Sequence, residues 1–77
     1  MLEECLNLTR KWLKDTDSVS HEELQQAVDD SYYHIRDEDL KIGDDLIAYA
    51  YNAIHAAFDG DKAHAQRWVK HFDATRG

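Results

Sequence analysis

The sequence predicts an all-α domain, a compact four-helix bundle or two stacked helical hairpins, over residues 1–77. Three observations predict it. Apolar residues recur at the three-and-four spacing of a helical face in four segments. No proline interrupts any of them. The segments are separated by Asp-, Ser-, Thr- and Gly-containing stretches, residue types that favour turns and helix caps over helix interiors.

The first helix is expected over residues 2–14, where Leu2, Cys5, Leu6, Thr9, Trp12 and Leu13 fall on one face. Asp15-Thr16-Asp17-Ser18 ends it. The second helix has the clearest start in the chain. Ser20 stands three residues before Glu23, the spacing of a capping box in which each side chain satisfies the other's free backbone N–H, and Val19 and Leu24 bracket it as a hydrophobic staple. This helix is expected over 21–36, with Leu24, Ala27, Val28, Ser31 and Ile35 inward and Asp29, Asp30 and Tyr33 outward. Asp37 to Asp45 then reads as an acidic connector. In it Leu40 and Ile42 turn into the core, Gly43 permits a bend, and Asp44 caps the helix that follows.

The third helix, 45–58, is the most apolar. Ile47, Ala50, Tyr51, Ile54 and Phe58 form one stripe, and Leu46, Tyr49, Ala53 and Ala57 form a second beside it. Only Asp45, Asn52, His55 and Asp59 mark a polar edge. Such a helix is central, with neighbours on two sides, or is shared with a second subunit. In Asp59-Gly60-Asp61, Gly60 suits the left-handed closing conformation and Asp61 suits the cap of the fourth helix, 62–73, whose Ala65, Trp68, Val69 and Phe72 point inward. Residues 74–77 are expected to fray. The stretch Ala53 to Phe72, with Gly60-Asp61 in the turn and Ala65 and Val69 following, resembles a single tetratricopeptide hairpin. The aromatic and proline positions that typify those repeats are absent, and the resemblance implies no more than a helical hairpin.

Size and charge narrow the function. A 77-residue chain holds one domain, and its one cysteine, Cys5, rules out an internal disulfide. A lone thiol and the absence of a signal-peptide pattern or an apolar run of about 18 residues lead us to expect a cytoplasmic protein with no membrane association. The net charge of −7 resides entirely in residues 21–45, where nine acids face only Arg36 and Lys41. That argues against direct nucleic-acid binding, which needs cations to replace phosphate counterions, and for a solvated face or a basic partner.

Asp29, Asp30 and Tyr33, with Asp37, Glu38 and Asp39 at the rim, are the candidate partner-binding residues. They form an aromatic anchor within a charged border that would dock on a basic protein surface. The expected function is therefore non-enzymatic protein binding, as an inhibitor or adaptor. One alternative is self-association, as a homodimer, through Leu46, Tyr49, Ala53 and Ala57. Another is inhibition of a DNA- or RNA-binding protein by imitation of nucleic acid.

Cofactors, metals and catalysis are not expected. Read as a calcium loop from Asp15, the sequence fails at Val19, Ser20 and Gln26, where an oxygen ligand, a glycine and a glutamate are required. His55 and His64 are placed to approach across the last hairpin, but two ligands fall short of a zinc set. The neighbours Ser20 and His21 diverge at a helix start and form no nucleophile–base pair.

Overall fold

The computed structural model describes residues 2–33 and 44–76. Among them run four α-helices: α1 (Leu2–Lys14), α2 (His21–Tyr33), α3 (Asp44–Phe58) and α4 (Lys62–Arg76). A short 3₁₀ turn, Thr16–Ser18, lies between α1 and α2. The described residues form no strand.

Local chemistry sets each boundary. After α1, the Asp15 carboxylate accepts a hydrogen bond from the Asp17 N–H at 3.0 Å, and the Ser18 hydroxyl donates to the Asp15 carbonyl at 2.7 Å. These bonds spend the polar side chains on closing a turn, the role such residues fill outside helix interiors. The predicted capping box forms. The Glu23 N–H donates to Ser20 Oγ at 3.1 Å, and the Ser20 N–H donates to Glu23 Oε1 at 3.5 Å. Val19 and Leu24 are both buried beside it, as a hydrophobic staple requires.

The α3–α4 turn is a Schellman motif. Gly60 takes φ +77°, its N–H donates to the Ala57 carbonyl at 3.0 Å, and the Asp61 N–H donates to the Ala56 carbonyl at 2.8 Å. Asp61 then caps α4 through Oδ1, which accepts from the His64 N–H at 3.1 Å.

Helix α3 is central, as its two apolar stripes predict, and packs on α1, α2 and α4. Helices α1 and α3 form the inner pair. Helices α2 and α4 flank it on opposite sides, which makes the molecule a slab with extents of 33 × 26 × 15 Å. Ala50, Ala53, Ala56 and Ala57 are all buried on α3, and their small side chains let the neighbouring helices approach closely. Two apolar clusters share this helix. One gathers Cys5, Trp12, Leu24, Val28 and Ile54, and the other gathers Leu6, Ala50, Ala53, Val69 and Phe72. Thr9, fully buried on α1, satisfies its hydroxyl by donating to the Cys5 carbonyl at 2.7 Å.

The fourth helix departs from expectation at its end. It runs to Arg76 rather than stopping at 73. Arg76 pairs with Glu3 at the start of α1, and its guanidinium lies 5.7 Å from the centre of the Phe72 ring. Those contacts tie down residues that local sequence gives no reason to order. Of the expected connector, Asp37 to Gly43 lie outside the described residues, as do Ile35 and Arg36, which the sequence assigns to the second helix.

Candidate functional site

Two buried residues, Leu24 and Val28, fix the rotation of α2. With that face inward, Glu22, Glu23 and Asp29 are exposed and Asp30 is half-buried, its Oδ1 accepting from Gln26 Nε2 at 3.1 Å. No lysine or arginine occurs in His21–Tyr33. Glu22 and Glu23 lie in the first turn, where carboxylates favour the positive end of the helix macrodipole. Asp29 and Asp30 lie beyond the first turn, where they gain nothing from that positive end.

The six sequence-predicted binding residues are thus divided. Asp29 and Asp30 stand together on the edge of the slab. Tyr33 closes the described part of α2. Asp37, Glu38 and Asp39 lie outside the described residues. The four residues predicted for self-association are divided as well. Ala53 and Ala57 are 0 % and 1 % exposed, Ala53 in the cluster with Leu6, Val69 and Phe72 and Ala57 in the cluster with Cys5, Leu24 and Ala65, while Leu46 and Tyr49 are half-buried. Tyr49 stacks on Trp68 of α4 with ring centroids 5.7 Å apart, and His71 leans against both rings.

A groove of about 340 Å³ runs between α1 and α2. Cys5, Leu8 and Ala27 supply its apolar floor, and Glu4, Glu23 and Asp30 supply charged walls. Sequence reading missed this groove. The available signal was Leu8, an apolar residue of α1 left off the inward face and standing three residues after Cys5. The opposite edge of the slab has the other sign: Lys62, Arg67 and Lys70 are exposed on α4.

Electrostatics elsewhere join helices. Arg10 of α1 grips Asp73 of α4 through both guanidinium nitrogens, one of them at 3.0 Å. That hydrogen bonding raises Arg10 above its ordinary pKa and lowers the Asp73 carboxyl below its own. Asp61 is lowered too, chiefly by the His64 ring nitrogen and then by the His64 backbone N–H. His64 Nδ1 is therefore engaged at the α4 cap. Among the described residues, no three His, Cys, Asp or Glu side chains converge as a metal site. No helix among them is long and apolar enough to cross a membrane.

Fold and site together define an all-α domain whose described residues form four helices, with an acidic edge on α2 and a basic edge on α4. Comparison with known proteins found no matching family model, no matching curated protein and no matching solved structure.

Proposed function

We propose that this protein is a non-enzymatic binding module, an inhibitor or adaptor, that docks the acidic edge of α2 on a basic surface of a partner protein. The observation that carries this reading is the placement of Asp29 and Asp30. They are adjacent carboxylates with no Lys or Arg among the described residues of their helix, Asp29 exposed and Asp30 lining the groove between α1 and α2. Opposite charge on the partner would steer encounter and make association sensitive to salt.

The test is capture of partners on the immobilised protein, followed by the same capture with Asp29→Lys combined with Asp30→Lys. The reading expects a basic protein to be retained by the wild type, released as salt rises and lost with the double variant. Retention that is indifferent to the double charge reversal refutes it.

A further inference from the structure

Resting on that reading, we propose that the groove between α1 and α2 seats one apolar residue of a basic amphipathic helix belonging to a partner protein. Lys or Arg residues of the same helix would meet Glu4, Glu23 and Asp30. The floor is apolar: Cys5 is 1 % exposed, and Leu8 and Ala27 are half-buried. Among the described residues, the charged groups lining the groove all carry one sign, and none forms an ion pair with a Lys or Arg. An apolar floor within an unneutralised acidic rim fits an apolar anchor flanked by cations.

The backbone of the occupant follows from what the groove lacks. The described residues form no strand, so the groove has no sheet edge to pair with an extended peptide. An extended segment would bury N–H and C=O groups without partners, whereas a helix satisfies its own.

A second copy of this chain fits poorly. Its basic helix α4 carries Lys62, Arg67 and Lys70 outward, but Ala65, Val69 and Phe72 are buried in its own core and offer no anchor. The occupant is therefore a different protein.

The experiment titrates the isotopically labelled full chain with two synthetic peptides of about four helical turns. One places Leu on one face and Lys beside it. The other has the same composition in scrambled order. The inference expects the amides of Leu8 and Ala27 to shift and the amphipathic peptide to bind at least about tenfold more tightly than the scrambled one, equivalent to about 1.4 kcal/mol. Ala27→Leu, which fills the floor, and Leu8→Gln, which makes it polar, should each remove about that tenfold advantage. They should leave scrambled-peptide binding unchanged. Thermal melts confirm that each variant is folded; if neither folds, the pattern of wild-type amide shifts decides.

Equal binding of both peptides, with shifts at Glu22 and Asp29 instead of Leu8 and Ala27, overturns the groove while leaving the acidic edge standing. No binding of either peptide overturns both. A mass that rises to a dimer with protein concentration, accompanied by shifts at Leu8 and Ala27, overturns the inference in favour of a second copy.

Discussion

Replacing Gly60 by alanine isolates one term of the fold. The residue sits at φ +77° in the turn that closes α3 and opens α4, and a Cβ built there meets no atom within 4 Å. Gly60→Ala therefore introduces no clash with a neighbour. What it introduces is the left-handed backbone conformation in a residue with a side chain, at a cost of about 1–2 kcal/mol. In a domain of this size each kcal/mol corresponds to about 4–8 °C in Tm. The assay is urea unfolding followed by tryptophan fluorescence, with Trp12 buried and Trp68 half-buried as reporters. The midpoint should fall while the slope stays constant, since the surface exposed on unfolding is unchanged. Gly60→Asn should cost less, because asparagine tolerates this conformation better. An alanine variant as stable as the wild type would refute the reasoning: the Schellman hydrogen bonds from Gly60 and Asp61 would then not depend on glycine at this position.

Two further perturbations follow from the caps and ion pairs. Ser20→Ala removes the acceptor for the Glu23 N–H and should cost about 1 kcal/mol in urea unfolding, whereas Ser20→Asp should retain most of the stability. A loss with aspartate equal to that with alanine would count against the capping account. Acid should destabilise the protein through Asp73, whose folded pKa lies below its ordinary value of 3.8 because Arg10 hydrogen-bonds to it. A depressed carboxyl contributes stability that is complete above the unfolded value and lost as pH falls through the folded one. The pair is half-exposed, so solvent screening holds its contribution to under about 1 kcal/mol. Asp73→Asn should flatten the fall in Tm below the ordinary aspartate range and leave neutral-pH behaviour only slightly changed. An unaltered acid limb in that variant would remove Asp73 from the account.

What the sequence made legible was local. The capping box at Ser20 and Glu23, the left-handed Gly60 and the Asp61 cap are each determined within a few residues, and each forms as expected. The centrality of α3 was legible because an apolar stripe on two sides demands two neighbours. The extension of α4 to Arg76 was not, because it rests on Glu3, 73 positions away. The grip of Arg10 on Asp73 spans 63 positions and had no local signature either. The groove was missed for a related reason. Helical periodicity assigns each residue to one face or the other, while Leu8 and Ala27 lie at the seam between two helices, half-buried, where the assignment depends on how α1 and α2 meet.

The same distinction bears on the acidic edge. Its carboxylates look in sequence like a solubilising surface, and charge composition alone cannot separate the two roles. Their positions along α2 are what the proposed binding role rests on. A solubilising function is met by a carboxylate anywhere on the exposed face, and the first turn, occupied by Glu22 and Glu23, is where it also stabilises the helix. Asp29 and Asp30 forgo that gain. They are gathered toward the other end, and Asp30 lines the groove whose floor is Cys5, Leu8 and Ala27. Charge set away from the helix start and beside an apolar concavity is the arrangement on which the proposed docking rests.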